Sequence, residues 1–222
     1  MDGTALRISL ALGAGTIAIL LPPGLWLGRL LAVRDFRGKI LAEALVTVPL
    51  VLPPTVLGFY LLVTFGARSP IGQAFQALVG HPLPFSFQGL LLASAIANIP
   101  FVVQPIQQAF KAISADVRDA AACCGLTPWQ QFLRIELPLA WPGVLTASII
   151  TFTHTLGEFG VVLMVGGNLP GQTRTLSIAI YDRMQAFDDR SAGIMAATLL
   201  IISVATLMAT TVLSRRVSPA RG

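Results

Sequence analysis

Five long apolar segments limit what this chain can fold into. They cover residues 8–33, 40–65, 88–110, 139–165 and 192–213. Each is longer than the roughly 20 residues that an α-helix needs to cross about 30 Å of hydrocarbon. Apolar residues make up 55% of the chain and charged residues only 11%, a composition unlike that of water-soluble proteins. The chain is therefore predicted to be an all-α integral membrane protein, a single domain over 1–222 with five transmembrane helices.

Ten of the fifteen basic residues fall on one side of the membrane when alternate loops are assigned to opposite sides. The positive-inside rule places that side in the cytoplasm. The N-terminus is therefore predicted outside and the C-terminus inside. Basic loops facing anionic lipid also explain the isoelectric point near 10.0 without a nucleic-acid partner. The ten residues are Arg29, Arg34, Arg37, Lys39, Lys111, Arg118, Arg134, Arg215, Arg216 and Arg221.

The second apolar segment contains a proline run, 49-PLVLPPTVLGF-59. Its three prolines cannot continue a regular helix, because each lacks a backbone N–H. The carbonyls that lose their partners must find others inside the bundle, and such breaks usually line a cavity or a moving joint. Pro53 and Pro54 are therefore predicted to lie beside a transport pathway.

Residues 112–138 form a polar interruption between the third and fourth apolar segments, on the predicted cytoplasmic side. Ser114 is predicted to cap a short helix that ends at a left-handed Gly125. Thr127 is predicted to cap a second short helix through a capping box, and Pro138 to stop it. The interruption is thus predicted to be a rigid pair of short helices. An amphipathic helix lying in the lipid interface is the alternative.

The stretch 119-DAAACCGLTPWQQFLRIELP-138 has the spacing of a known motif. It opens on Asp-Ala-Ala, has a glycine after three further residues, and closes on Leu-Pro. It resembles the EAA motif of permease subunits in bacterial ABC importers, with aspartate in place of the usual glutamate. Within that family, 48-VPLVLPPTVLGFYLL-62 and 156-LGEFGVVLMVGGNLPGQTRTLSIAIY-181 resemble molybdate permease subunits, and the similarity extends over nearly the whole chain.

The resemblance implies that the chain is a multi-pass protein of the bacterial inner (plasma) membrane and that residues 112–138 are a coupling loop. In such importers this loop sits in a groove of a separate cytoplasmic ATPase subunit. That subunit binds ATP and Mg²⁺, so no cofactor is expected in the permease. The partners implied are a second copy of the chain, two ATPase subunits and a periplasmic oxyanion-binding protein, besides membrane lipid. The residues expected to couple to the ATPase are Asp116, Arg118, Asp119, Ala120, Ala121, Gly125, Leu126, Thr127 and Trp129.

No catalytic or metal site is predicted in the chain, which is not expected to hydrolyse ATP itself. The stretch 166-GGNLPGQT-173 looks like a phosphate-binding loop, but Gln172 stands where a lysine must reach the phosphates. The resemblance and the predicted outer position imply instead that this stretch helps to dock the binding protein. Cys123 and Cys124 lack a Cys-x-x-Cys partner and a nearby histidine, so reduced thiols packed in the loop are expected.

Glu158 is the only carboxylate deep inside a predicted span, and an ionisable group there is a functional candidate. His154 precedes it by four residues, on the same helix face. Two such side chains do not make a metal site, and a simple packing pair is the alternative to a gate. Because a fixed negative charge would oppose an oxyanion, Glu158 is expected to be paired or turned aside. Thr55, Ser94 and Asn98 are the neutral donors expected along the pathway, unless they only hydrogen-bond neighbouring helices.

The function predicted first is the permease subunit of an ATP-driven importer for molybdate, with tungstate as a related cargo. Sulfate or another oxyanion is the nearest alternative, because the resemblance implies that selectivity resides mainly in the binding protein. An ion-coupled secondary transporter or a channel is the alternative from a different class. Secondary transporters often contain internal repeats and several buried charges, and the sequence offers no convincing repeat and only a thin ion relay at Glu158 and His154.

Overall fold

The structure is a computed structural model that describes residues 2–217, with side chains through residue 209. Arg221, one of the ten basic residues in the orientation prediction, lies outside the described residues. The regular elements in the described chain are all helical, which confirms the predicted fold class. In chain order they are α1 (Gly3–Val33), α2 (Lys39–Val51), α3 (Pro54–Phe65), α4 (Pro70–Val79), α5 (Phe87–Lys111), α6 (Ala115–Cys123), α7 (Pro128–Gln131), a π-helical segment (Phe132–Glu136), α8 (Leu137–Gly157), α9 (Gly160–Gly166), α10 (Leu176–Gln185) and α11 (Asp189–Val217).

Four helical stretches within residues 2–217 are long and apolar enough to cross a membrane. They are α1, α5, the continuous helix Pro128–Gly157 and α11. The pair α2 and α3 supplies a fifth span, but a bend of 109° separates its halves. The predicted count of five is therefore met when this bent pair is taken as one broken span. The orientation of the bundle stays a prediction.

The bend between α2 and α3 falls in the proline run, as the sequence predicted. α2 ends at Val51, and Leu52 donates its N–H to the Val48 carbonyl at 3.1 Å before the chain turns. Pro53 and Pro54 have no N–H, so helical hydrogen bonding cannot pass through them. The next helix starts with Pro54 at its first position, where a missing donor costs nothing.

The prediction that Pro138 stops the second short helix is wrong. The helix continues from Pro128 through to Gly157. The π-helical segment before Pro138 accounts for this, because the N–H of Leu137 bonds to the carbonyl of Phe132, five residues earlier. The wider turn accommodates a position that lacks an N–H. Of the two short helices predicted in the loop, α6 is a separate helix, and the second is the beginning of the helix that forms the fourth span.

The fourth predicted span, 139–165, is also broken, which the sequence did not indicate. α8 ends before Glu158, and α9 begins at Gly160. A Cβ atom placed on Gly160 would lie only 2.7 Å from the Cβ of Pro54, so the two backbones approach too closely for a side chain. The two interrupted spans therefore pack together at their interruptions.

α5 lies at the centre of the bundle and contacts α1, α2, α8 and α9. Glycines allow α1 to approach it closely: a Cβ on Gly24 would lie 2.4 Å from Val102, and one on Gly28 would lie 2.7 Å from Ile106. Close packing of this kind is a main source of helix association in lipid, where hydrophobic burial contributes little. α5 thereby positions two regions, one at its C-terminal end beside the loop 112–138 and one at its middle.

Candidate coupling loop and membrane cavity

Gly125 follows the end of α6 in a left-handed conformation, with φ +77°, as predicted. Its N–H donates to the Ala122 carbonyl at 2.9 Å, and the Leu126 N–H donates to the Ala121 carbonyl at 3.3 Å. No atom lies within 4 Å of the place that a Cβ on Gly125 would occupy. A side chain there would be opposed by the backbone conformation and not by a clash. Ser114 does occupy the N-cap position of α6, but its side chain makes no capping hydrogen bond.

Thr127 begins the second half of the loop with the predicted capping box. Its N–H donates to Oε1 of Gln130 at 3.0 Å, and the Gln130 N–H donates to Oγ1 of Thr127 at 3.4 Å. Pro128 occupies the first helical position, where its missing N–H is not needed. The direction of the chain after Gly125 is therefore fixed by local hydrogen bonds.

Most of the residues predicted to couple to an ATPase lie at the exposed surface of the loop. Trp129 is the largest of them, with 67% of its surface exposed, and the exposed Leu133 adds apolar area on the same segment. Three others turn inwards: Ala121 is buried, and Leu126 and Arg118 are half-buried. The exposed members of the set are Asp116, Asp119, Ala120, Gly125, Thr127 and Trp129.

Cys123 and Cys124 are both exposed free thiols, so the expectation that they pack inside the loop is wrong. They lie in the last turn of α6 and directly after it. The inward position of this short helix is taken by Ala121, its one buried residue. Cys123 lies about 200° around the helix from Ala121, at about 100° per residue, and Cys124 comes after the last residue of the helix.

Arg118 holds the loop to the end of α5. Its guanidinium donates to the carbonyls of Phe110 at 2.7 Å and Ile113 at 3.1 Å. The last carbonyls of a helix lack partners within the helix, and a basic side chain can satisfy them. Its Nε also donates to Oε1 of Glu136 at 3.0 Å. Arg118 was predicted among the ATPase-coupling residues, and the structure points its side chain towards this chain's own helices.

Glu136 is a site residue that the sequence analysis missed. It is 0% exposed, at the end of the π-helical segment. Oε2 accepts from Nε of Arg29 at 2.5 Å, and Oε1 accepts from Arg118. The Arg29 guanidinium also lies 5.1 Å from the centre of the Phe132 ring. The available signal was an acidic residue between two apolar ones, Ile-Glu-Leu, in a helix that continues into a span.

Glu158 lies at the break between α8 and α9 and is bound by neutral groups. Its Oε2 accepts from Oγ of Ser94 at 3.1 Å and from Nδ2 of Asn98 at 3.3 Å. Thr16 of α1 donates to Ser94 at 3.3 Å, and Nδ1 of His154 lies 3.0 Å from Oδ1 of Asn98. The expectation that Glu158 is paired is confirmed, with hydrogen bonds and not with a cation. These five side chains form one polar cluster inside the bundle.

A cavity of about 500 Å³ lies where the two broken spans meet. Of the residues predicted along a pathway, Pro54, Thr55 and Glu158 line it, together with His154 and Phe101, whose rings stack with centres 4.0 Å apart. The others lie elsewhere. Ser94 and Asn98 are fully buried behind the cavity wall, where they bind Glu158, and the exposed Pro53 precedes α3 at the bend. The buried pair thus follows the alternative that such donors hydrogen-bond a neighbouring helix.

The loop between α9 and α10, predicted to dock a binding protein, is held by its own polar groups. Asn168 donates to both carboxylate oxygens of Asp182, at 2.8 and 2.7 Å, and accepts from Nε of Arg174 at 2.6 Å. Thr173 donates to the Gly166 carbonyl at 2.6 Å. These hydrogen bonds hold residues 166–175 in one conformation, so the segment presents a fixed surface.

The sequence profile of one family matches most of this chain. The family is described as the binding-protein-dependent transport system inner membrane component, and the match covers residues 24–219. The chain belongs to this family. It is accordingly a multi-pass protein of the inner membrane and a transport permease.

Several curated relatives are similar over nearly their whole length. The molybdenum transport system permease protein ModB of Azotobacter vinelandii is 46% identical over 94% of this chain and 92% of its own. ModB of Escherichia coli strain K12 is 35% identical over 95% of this chain and 90% of its own. A probable sulfate transport system permease protein of Chlorella vulgaris is 32% identical over 78% of this chain and 65% of its own. The molybdenum proteins are thus matched more completely than the sulfate protein.

Solved structures of ABC importers share the fold. A bacterial alginate ABC transporter, crystallised with its pentasaccharide-bound periplasmic protein, matches 96% of this chain and 78% of its own with a TM-score of 0.76 and 17% identity. The MetNI methionine ABC transporter in an inward-facing conformation matches 97% of this chain and 94% of its own with a TM-score of 0.73 and 19% identity. At these identities the likeness concerns the fold alone.

Proposed function

We propose that this chain is the membrane-spanning subunit of an ATP-driven importer that moves molybdate into the cell. The observation that carries the proposal is the 46% identity to a molybdenum transport permease over 94% of the chain. Tungstate, an oxyanion of the same shape and charge, is expected to follow the same route. Sulfate is the second candidate, because sulfate permeases are also among the relatives.

The cavity at the two broken spans supports passage of an anion through this region. Glu158 lines it and has an oxygen engaged by Ser94 and Asn98. Thr55 offers a neutral hydroxyl, a donor that can bind an anion weakly enough to release it again. A moving joint is also available, because both spans are interrupted beside the cavity.

The loop 112–138 is proposed to dock on a cytoplasmic ATPase subunit, which binds ATP and Mg²⁺ and performs the hydrolysis. Two features support this role: exposed apolar side chains such as Trp129, and caps that fix the direction of the chain at Gly125 and Thr127. The exposed Asp119 and Ala120 of the motif lie on the same surface. A contact that transmits force between chains must be stiff, and these local hydrogen bonds make it so.

Two copies of the chain, two ATPase subunits and a periplasmic binding protein complete the proposed assembly. Large apolar side chains on α2 and α3 are exposed beside the open cavity, among them Val51, Phe59 and Tyr60. A second copy would cover this surface and close the route around the cavity. The loop 166–175 is proposed to face the binding protein, with the N-terminus outside and the C-terminus inside. Reporter fusions at the two termini test this orientation, and signals from the same side would contradict it.

Reconstitution tests the function directly. The chain would be incorporated into proteoliposomes with a partner ATPase and an oxyanion-binding protein, and uptake of labelled molybdate measured with and without ATP. We expect uptake that needs all components and is competed by tungstate more strongly than by sulfate. Uptake by the chain alone, driven by a proton or sodium gradient, would establish the secondary-transporter alternative instead.

A further inference from the structure

Glu136 joins parts of the chain that are far apart in sequence. It binds Arg29 of α1, 107 residues away, and Arg118 of α6, 18 residues away. Arg118 in turn donates to the carbonyls of Phe110 and Ile113 at the end of α5. Arg29, Arg118 and Glu136 are called the Glu136 clamp below. The clamp links α1, α5 and α6 to the helix that continues into the fourth span.

Stability alone does not explain the Glu136 clamp. A carboxylate and two guanidinium groups lose hydration when they are buried, and apolar side chains of similar size often stabilise a protein as well or better. What a guanidinium supplies is direction, because its planar set of donors fits carboxylate and carbonyl oxygens in a fixed geometry. Arg29 is further held by the face of the Phe132 ring. The clamp therefore fixes the position of α6 relative to the spans.

We propose that Arg29, Arg118 and Glu136 are positioning residues that make the loop 112–138 and α1 move as one body. This inference rests on the proposed function, in which an ATPase displaces the loop. Exposed groups such as Trp129 would still reach the ATPase in the absence of the clamp. The displacement would then be absorbed between α6 and the spans, at Gly125, and would not reach α1.

The test uses the complete importer in proteoliposomes. Glu136→Gln keeps the side-chain size and removes the charge that holds both arginines, whereas Glu136→Asp keeps the charge on a shorter side chain. The matched control is Asp35→Asn, which breaks an ion pair between Asp35 and Lys39, two residues outside the loop 112–138. Three quantities are measured for each variant: the amount of assembled complex, the rate of ATP hydrolysis, and the molybdate imported per ATP hydrolysed.

Glu136→Gln is expected to assemble and to hydrolyse ATP, while the molybdate imported per ATP falls roughly tenfold, within the range of mutations that change coupling between sites. Glu136→Asp should recover part of this ratio, and Asp35→Asn should match the wild type. A ratio equal to the wild-type value in Glu136→Gln would overturn the proposal. So would a partial loss of complex in which uptake and hydrolysis fall in proportion and the molybdate imported per ATP stays at the wild-type value, since that result describes a merely structural role.

Arg29→Lys covers the case in which Glu136→Gln does not assemble. It keeps the positive charge and loses the planar donor set, so it should assemble with a lowered ratio, and an unchanged ratio would overturn the proposal. Gly125→Val distinguishes the coupling role of the loop 112–138 from the positioning role of the Glu136 clamp. Normal uptake by Gly125→Val would mean that the loop does not couple at all and that its proposed function fails. Uncoupling by Gly125→Val with a normal ratio in Glu136→Gln would reject the clamp alone.

Discussion

Two buried carboxylates lie at opposite ends of one helix and are held by different kinds of partner. Glu136 is 0% exposed and accepts from two arginines, whereas Glu158 is 7% exposed and accepts from a serine and an asparagine. The first lies in a π-helical segment that continues as helix, and the second lies at a true break beside a cavity. Glu136, at the packed end of the helix, is thus paired with cations. Glu158, at the open end beside the cavity, is bound by neutral hydrogen-bond donors.

The difference has a physical reason. A carboxylate between two cations is held by strong, directional ion pairs that are costly to separate in a medium of low dielectric constant. Hydrogen bonds to neutral donors are weaker and can be exchanged among several partners, as the chain from Thr16 to His154 provides. We infer that the loop end is built to keep one geometry and that the cavity end can rearrange.

The largest effect is expected when one member of the Glu136 clamp is removed alone. Glu136→Leu leaves the half-buried Arg29 and Arg118 without their carboxylate. Loss of one partner of a fully buried pair costs about 3–5 kcal/mol, and the partial exposure of both arginines places the loss here near or below the lower end of that range. The free energy of unfolding of the detergent-solubilised chain measures this loss. Adding Arg29→Met and Arg118→Met to Glu136→Leu should recover most of it, because the stranded charges are then gone. A triple variant as unstable as the single one would contradict the charge argument.

A smaller loss is expected for Glu158→Leu. It leaves the Ser94 hydroxyl without its acceptor, whereas the Asn98 amide still donates to the Ser94 carbonyl. An unsatisfied buried donor costs about 1–3 kcal/mol. The same unfolding measurement applies, with Glu158→Gln as the control, since a glutamine oxygen can still accept from both donors. If Glu158→Leu were as destabilising as Glu136→Leu, the two ends of the helix would not differ in the way described.

Gly125→Val is expected to affect transport much more than stability. A β-branched residue at φ +77° adds about 1–2 kcal/mol of backbone strain but meets no neighbouring atom. Insertion should be normal, and uptake of molybdate should be lost. Gly80→Val is the matched control, because Gly80 has φ +84° and equally open surroundings at the end of α4, away from the loop. Equal loss of uptake in both variants would indicate general strain and not a defect in coupling.

The smallest effect is expected at the exposed Asp35–Lys39 pair. Lys39 lowers the pKa of Asp35 below its usual value, chiefly through a side-chain hydrogen bond. A lowered pKa contributes stability at neutral pH that is lost as the pH falls through the pKa of the folded state. Because solvent screens this pair, Asp35→Asn should leave the unfolding temperature unchanged at neutral pH and in acid alike. A clear drop at neutral pH would show that exposed ion pairs matter here as well.

Sequence reasoning succeeded where the cause of a structure is local. Each feature that was predicted correctly depends on residues close together in the sequence. These features are the apolar segments, the bend at Pro53 and Pro54, the left-handed Gly125 and the capping box at Thr127. The family resemblance rested on the motif spacing in residues 119–138 and on two further stretches, 48–62 and 156–181. Both kinds of signal can be read from a single sequence.

The parts that were missed depend on contacts between distant residues. The sequence around Glu136 does not predict its contact with Arg29. The sequence around Glu158 does not predict its contact with Ser94, 64 residues away. The failure at Pro138 has a different origin. A proline usually disrupts a helix, and here the π-helical segment before it accommodates the missing N–H, so that the helix continues.

The helix from Pro128 to Gly157 can also be regarded as a lever arm. It has 30 residues, which corresponds to a length of about 45 Å at 1.5 Å per residue. A tilt of about 5° around one end would move the other by about 4 Å, more than the diameter of a water molecule. A modest rotation imposed at Trp129 would thereby become a displacement beside Glu158 large enough to change the width of an ion-sized opening.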